Sequence, residues 1–147
     1  MYLALRGLRT LDVRLERHMK SALQVAEWLR QRPEVETVLY PALSNAPGHE
    51  IWKRDFTGAC SLFGVEFKPE FSTVSTHKFV EALELFGIGA SWGGYESLAV
   101  PTTGFITRTA GSGKFNGPVV RLHIGLEDVD DLIADLRQGL DVMRKSV

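Results

Sequence analysis

The chain has 147 residues, of which 44% are apolar and 24% are charged, with a formal net charge of −1. This length and composition predict one globular domain with a sizeable core. The near-neutral charge argues against nucleic acid or an anionic membrane as a partner, and no stretch is long and apolar enough to predict a membrane span. The single cysteine, Cys60, fits a reducing cytoplasm, and its apolar neighbours predict a buried thiol.

The first thirty residues are predicted to form one long helix, because apolar side chains recur at every third or fourth position until Pro33 ends the pattern. No capping residue precedes Tyr2, so we expect the chain to be cut from a longer protein. The next predicted elements are a strand over 35–40, a loop over 41–48, a short helix over 49–56 and a strand over 59–67.

The second half of the chain also alternates between helix and strand patterns. Its predicted elements are a helix over 74–86 ended by Gly87 and Gly89, a brief strand over 97–100, a loop over 102–117, a strand over 119–124 and a helix opened by Asp128. The loop is long for a packed domain and is therefore either functional or mobile. We expect an α/β or α+β two-layer fold over 1–147, in which helices pack on a sheet behind a long N-terminal helix.

Arg121 is a charged residue within an apolar run that predicts a buried strand. A buried guanidinium is costly unless an anion meets it, and its two parallel N–H groups match a carboxylate. Upstream, Ser91 offers a hydroxyl and Trp92 an indole donor, and Gly93 and Gly94 let the backbone approach a ligand closely. Together they predict a site for a small carboxylate-bearing ligand. Alternatively, Arg121 pairs with an acid of this chain, Trp92 is a core aromatic and the glycines form a tight turn.

The sequence does not match other catalytic or metal-binding motifs. The stretch 111–115 suggests a phosphate loop, but Arg108 and Phe115 occupy positions that need glycine and Ser or Thr. The spacing for a dinucleotide-binding loop fails because Gly117 comes one residue late. Neither Ser91 nor Ser97 lies in a nucleophile-elbow sequence. Four scattered histidines lack metal-ligand spacing, and we expect structural or surface roles for them: His18, His49, His77 and His123. No catalytic, cofactor-binding or metal-binding residue is predicted in the chain.

Several segments together resemble the C-terminal domain of the cystathionine β-lyases, within the pyridoxal-phosphate-dependent family of cysteine and methionine metabolism. They are 6–18, 33–35, 40–43, 48–58, 91–98 and 121–128. The resemblance runs nearly end to end and is most specific in the last two blocks. The Ser-Trp-Gly-Gly sequence at 91–94 favours the β-lyase branch, because γ-lyase and γ-synthase relatives usually carry Ser-Leu-Gly there.

The resemblance implies that 1–147 is the small C-terminal domain of a fold-type I pyridoxal-phosphate enzyme, whose cofactor lysine lies in a larger upstream domain outside this sequence. The family's reaction is an elimination, which for cystathionine yields homocysteine, pyruvate and ammonia. Arg121 would bind the substrate α-carboxylate, and Ser91 and Trp92 would help to hold it and line the pocket. We expect the intact, homo-oligomeric enzyme to bind the cofactor, and this chain alone to be inactive and not to retain it.

Ala90 departs from the family pattern, which often places a tyrosine before the Ser-Trp pair. The resemblance therefore fixes no preference among sulfur amino acids. Two alternatives to the lyase remain for the chain on its own. A stand-alone amino-acid-binding module would bind methionine or cystathionine in calorimetry, and an oligomerisation module would show concentration-dependent sedimentation. We favour the lyase for the origin of the chain and the oligomerisation module for what it does in isolation.

Overall fold

The computed structural model describes residues 1–109 and 114–147. Its elements in chain order are α1 (Tyr2–Leu8), α2 (Leu11–Arg30), β1 (Val35–Leu39), α3 (His49–Asp55), β2 (Leu62–Phe67), α4 (Thr73–Glu81), β3 (Gly87–Ile88), β4 (Leu98–Pro101), β5 (Val119–His123) and α5 (Val129–Arg144). None of the helices in these residues combines the length and apolar character needed to cross a bilayer. Most of the glycine-rich stretch tested as a phosphate loop, 111–113, lies outside the described residues.

The strands form one sheet in the order β1-β2-β5-β4-β3, which places β5 at its centre. All neighbouring pairs are antiparallel except β3 with β4. Helices α2 and α4 pack against the sheet, and α5 packs against both of these helices, which confirms the predicted two-layer α/β fold. Burial of each large core side chain contributes roughly 1.5–3 kcal/mol. The core includes Val25, Leu29, Phe67, Phe79, Leu122, Leu132 and Leu136.

The prediction of one long N-terminal helix is wrong, because the helix is interrupted at Arg9 and Thr10. The Gly7 carbonyl accepts hydrogen bonds from the Thr10 amide (3.3 Å), the Thr10 hydroxyl (3.3 Å) and Arg14 Nη2 (2.8 Å). In an uninterrupted helix the Gly7 carbonyl would accept the amide four residues further on. The three donors compete with that amide for the carbonyl. Helix α1, before the interruption, has no buried residue.

The predicted helix over 74–86 ends early, at Glu81. The Asp135 carboxylate, on α5, accepts the backbone N–H groups of Glu84 (2.9 Å), Leu85 (2.8 Å) and Phe86 (3.4 Å). These amides therefore point to a neighbouring helix instead of to the preceding turn. The residues that follow form β3, a strand that the sequence did not predict. Gly87 is therefore a strand residue and does not end the helix.

The predicted burial of Cys60 is wrong, because the side chain is exposed. The predicted strand over 59–67 begins only at Leu62, so Cys60 lies in the irregular segment before it. The Tyr40 hydroxyl donates a 2.6 Å hydrogen bond to the Cys60 carbonyl, which fixes the backbone, and the exposed thiol donates to the Leu62 carbonyl at 3.6 Å.

The remaining predicted elements are confirmed to within a few residues at their ends. The Asp128 carboxylate caps α5 by accepting the Asp130 amide at 2.9 Å, as expected for an acidic residue at a helix start. In β5 the side chains alternate between the two faces of the sheet. Val120, Leu122 and Ile124 join the core, and Arg121 and His123 therefore lie on the opposite face.

Candidate functional site

Arg121 lies in the middle of the sheet, where it is paired with Gly64 of β2 and Val100 of β4. The strand is buried as predicted, and the Arg121 side chain is its partly buried member. Nη2 donates to the carbonyls of Ser91 (3.3 Å) and Gly89 (3.5 Å), and both distances are long. The buried Nε has no hydrogen-bond partner, and no acid of residues 1–109 or 114–147 forms an ion pair with Arg121.

The loop 91–96 crosses the same face of the sheet. Ser91 accepts the hydrogen bond from Arg121 with its backbone carbonyl, and its hydroxyl takes no part in this contact. The Trp92 side chain is 65% exposed, which is not the packing of a core aromatic. Gly93 has a φ of +79°, a conformation that side chains other than glycine rarely adopt. The structure thus brings Ser91 to Arg121 and leaves the Trp92 ring open to solvent.

The far end of this loop is anchored by Glu127. The Glu127 carboxylate accepts the Ser97 amide (2.7 Å) and the Ser97 hydroxyl (2.8 Å). The same hydroxyl accepts the Gly125 amide at 2.8 Å, and Ser97 is fully buried. Gly125 approaches the loop so closely that a Cβ there would lie 2.3 Å from the Tyr95 carbonyl oxygen. These contacts connect the end of the loop to the segment that follows β5.

His123 is a site residue that the sequence analysis missed. Its Nε2 accepts the Gly93 amide at 3.1 Å, and its Nδ1 lies 2.9 Å from the Ser61 hydroxyl. His18, on α2, packs edge-on against it with ring centroids 5.5 Å apart. Burial lowers the pKa of both imidazoles, which favours the neutral forms. The signal was present in the sequence, because residues 121 and 123 of one strand share a face.

The other two histidines lie elsewhere. His49 Nδ1 contacts the Pro41 carbonyl at 2.8 Å, and His77 is exposed on α4. Among the described residues there is no group of His, Cys, Asp or Glu side chains that could hold a metal ion. A cavity of about 450 Å³ lies between α2 and the segment around Cys60, and none of Arg121, Ser91 and Trp92 lines it. The candidate site is therefore an open surface on the sheet and not this cavity.

Comparison with known proteins identifies the class of this chain. Residues 1–141 match the Cys/Met metabolism PLP-dependent enzymes, and the chain belongs to this family. It is 49% identical over 141 residues to the cystathionine beta-lyase MetC of Escherichia coli (strain K12), a match that covers 94% of this chain and 36% of that protein. The resemblance to the cystathionine β-lyases is thereby confirmed.

Two other relatives show how widely the domain occurs. The L-alanine/L-glutamate racemase of Wolbachia pipientis wMel is 43% identical over 140 residues, which cover 95% of this chain and 35% of that protein. The crystal structure of cystathionine gamma synthase from Xanthomonas oryzae pv. oryzae matches with a TM-score of 0.88 at 34% identity, over 99% of this chain and 38% of that chain. The chain thus spans about a third of the length of the relatives it matches.

The described residues of the site fit a carboxylate better than they fit the family's cofactor. An aldehyde cofactor needs an amine, and among the described residues no lysine side chain forms a hydrogen bond with 89–97 or β5. A phosphate needs several free backbone N–H groups, but the Gly93 amide is taken by His123 and the Ser97 amide by Glu127. The chain presents a guanidinium with a spare buried N–H, which matches one carboxylate.

Proposed function

We propose that this chain is the substrate-carboxylate domain of a pyridoxal-phosphate-dependent carbon–sulfur β-lyase that cleaves cystathionine to homocysteine, pyruvate and ammonia. The proposal includes a cytoplasmic, homo-oligomeric enzyme whose cofactor-binding domain precedes residues 1–147. It is supported by family membership and by 49% identity to a cystathionine beta-lyase over 94% of the chain.

The main support for the proposal is the lack of an anionic partner for the Arg121 guanidinium in the part of the chain that the structure describes. Its Nε is buried without a partner, its Nη2 makes only long contacts to two carbonyls, and no carboxylate of the described residues neutralises it. A partly desolvated guanidinium gains most from an anion that reaches two of its N–H groups at once. The α-carboxylate of an amino acid is such an anion.

Three side chains of this chain then have distinct tasks. Arg121 binds the α-carboxylate and fixes the orientation of the substrate. Ser91 and Trp92, on the loop that Arg121 contacts, help to hold the carboxylate and form the wall beside it, with the exposed indole as a donor and an apolar surface. The cofactor, when bound by the rest of the protein, supplies the electron sink for loss of the α-proton and the β-thiolate.

Replacement of Arg121 in the intact protein tests the assignment. Loss of a partly buried charge pair costs roughly 2–5 kcal/mol, so Arg121→Ala should lower kcat/KM for cystathionine by about 30-fold to several thousand-fold. The kcat/KM of Arg121→Lys should lie between those of the parent and of Arg121→Ala, because lysine keeps the charge and loses the paired N–H geometry. Arg54→Ala is the control, since among the described residues that exposed guanidinium pairs only with Asp55 on α3. Parental turnover by Arg121→Ala would rule out the proposed role.

The isolated chain should be inactive and should not retain the cofactor, because its described site lacks an amine for the aldehyde. Titration of the 147-residue chain with pyridoxal phosphate, followed by absorption, tests this statement. Only weak, unsaturated changes from scattered surface lysines are expected. A saturable absorption band at one cofactor per chain would contradict it and would place a cofactor lysine within this sequence.

A racemase is the second candidate, favoured by the 43% identity to an L-alanine/L-glutamate racemase over the same part of the chain. Racemisation also begins with an α-amino acid whose carboxylate must be held, so Arg121 would have the same role. The reaction products distinguish a lyase from a racemase. A lyase releases pyruvate from cystathionine, whereas a racemase converts L-alanine to D-alanine without release of ammonia.

A further inference from the structure

The loop that carries Ser91 and Trp92 is held to β5 at two points. Arg121 donates to the Ser91 carbonyl, and His123 accepts the Gly93 amide at 3.1 Å. Residues 121 and 123 are two apart on the strand, and residues 91 and 93 are two apart on the loop. Trp92 lies between the two contacts, so both determine where its indole and the neighbouring Ser91 lie.

The hydrogen bonds assign the tautomer of His123. A backbone amide can only donate, so Nε2 must be unprotonated where it meets Gly93. The ring proton is then on Nδ1 and is donated to the Ser61 hydroxyl at 2.9 Å. Ser61 is itself fixed, because it is buried and its carbonyl accepts the Ile124 amide at 3.0 Å. The neutral ring is thus held at both nitrogens.

Protonation of His123 would exchange its partner on the loop. The Gly94 carbonyl lies 3.4 Å from Nε2 and accepts no hydrogen bond from the neutral ring. A protonated Nε2 would donate to the Gly94 carbonyl and would repel the Gly93 amide, which can then no longer donate to it. The loop would therefore shift, and with it Ser91 and Trp92.

Charged and titratable groups face His123 from each element around it. They are His18 on α2, Arg121 on β5, Glu96 on the loop and Glu127 after β5, while Arg14 on α2 lowers the pKa of the neighbouring His18 and donates to the Gly93 carbonyl at 3.4 Å. Burial and Arg121 lower the pKa of His123, whereas the Gly94 carbonyl, Glu127 and Glu96 raise it, with burial the largest effect. The neutral ring is the favoured state at neutral pH.

We propose that His123 is a positioning residue: as a neutral acceptor for the Gly93 amide, it fixes the loop 91–94 in the conformation that binds the substrate carboxylate. The inference rests on the proposed function of this site, although the contact between His123 and Gly93 can be measured without it. Arg121 binds the ligand directly, and His123 acts through the loop.

The first test is NMR of the 147-residue chain with ¹⁵N-labelled histidine and backbone. At neutral pH, the His123 ring should show a protonated Nδ1 and an unprotonated Nε2, with the Gly93 amide shifted downfield and protected from exchange. On acidification, the Gly93 amide should lose its protection together with protonation of His123. A ring protonated at Nε2 at neutral pH, or an unprotected Gly93 amide, would overturn the proposal whether or not the protein is a lyase.

The second test is steady-state kinetics of the intact protein with cystathionine. His123→Phe keeps the ring volume and removes the acceptor, so KM should rise about fivefold to tenfold, as for one lost hydrogen bond, with kcat changed less than about twofold. His123→Gln places an amide oxygen near Nε2 and should restore KM. His77→Gln, an exposed histidine on α4, is the control. Equal KM values for His123→Phe and the parent would contradict a positioning role.

The pH dependence separates positioning from direct binding. If neutral His123 holds the loop, KM rises as pH falls, and this rise is absent in His123→Gln. If protonated His123 instead attracted the carboxylate itself, KM would fall as pH falls. A fall in KM, or a rise that persists unchanged in His123→Gln, would overturn the proposal. Absence of lyase activity at every pH would refute the proposed function and leave the NMR result to decide the loop contact.

Discussion

Asp135 offers a direct test of how α5 is joined to the segment between α4 and β3. Its carboxylate is almost completely buried and accepts the Glu84 and Leu85 amides at 2.9 and 2.8 Å, with longer contact to Phe86. Gln138 adds a fourth hydrogen bond at 2.9 Å. Each hydrogen bond to a charged group contributes about 1.5–3 kcal/mol. With two short backbone bonds lost and their amides left unsatisfied, Asp135→Ala should destabilise the chain by about 3–5 kcal/mol.

Urea unfolding, followed by circular dichroism, measures this loss. The matched control is Asp131→Ala on the same helix, because Asp131 is exposed and supports only the helix dipole, worth about 0.3–1 kcal/mol. Hydrogen exchange should also show lost protection at the Glu84 and Leu85 amides. Equal destabilisation by the two substitutions, or a loss below about 1 kcal/mol in Asp135→Ala, would refute the assignment of these hydrogen bonds as the reason why α4 ends at Glu81.

Two further predictions concern the residues behind the site. Gly125→Ala would place a Cβ 2.3 Å from the Tyr95 carbonyl oxygen and should lower the urea midpoint clearly, whereas Gly7→Ala meets open space and should leave it unchanged or higher; equal midpoints would contradict the close approach. Burial lowers the pKa of His18 and His123 below 6.5, so the unfolded chain protonates first and stability should fall as pH drops below about 6.5. In a double variant, His18→Gln with His123→Gln, the urea midpoint should change less between pH 7.5 and 5.5 than in the parent. The same dependence of the midpoint on pH in both proteins would contradict this prediction.

The elements that local sequence determines were predictable. Helix α5 begins with an acidic cap at Asp128 and has a continuous apolar stripe, and β5 is an apolar run between loops. Local pattern could not show the end of α4, because the carboxylate that takes its amides lies about 50 residues further along the chain. The interruption at Thr10 depends on Arg14 reaching back to a carbonyl, which no periodicity reveals. Cys60 is exposed because its strand begins later than the apolar run suggests.

The candidate site was predictable in part. An arginine within an apolar strand indicated an anion site, and the structure shows its guanidinium without an acidic partner among the described residues. That Ser91 would meet it through a carbonyl depends on the loop conformation and could not be read from residue type. His123 was overlooked because the histidines are far apart in sequence, although its place two residues after Arg121 indicated the shared face.

The most direct test of the central claim measures what the substrate carboxylate contributes to binding. In the intact protein, competitive inhibition constants are compared for L-norleucine and for pentylamine, which is the same molecule without the carboxylate. We predict that the parent protein binds the amino acid at least about 30-fold more tightly, corresponding to the lower end of the 2–5 kcal/mol range, and that Arg121→Ala abolishes this preference. A preference that survives unchanged in Arg121→Ala would show that another group binds the carboxylate.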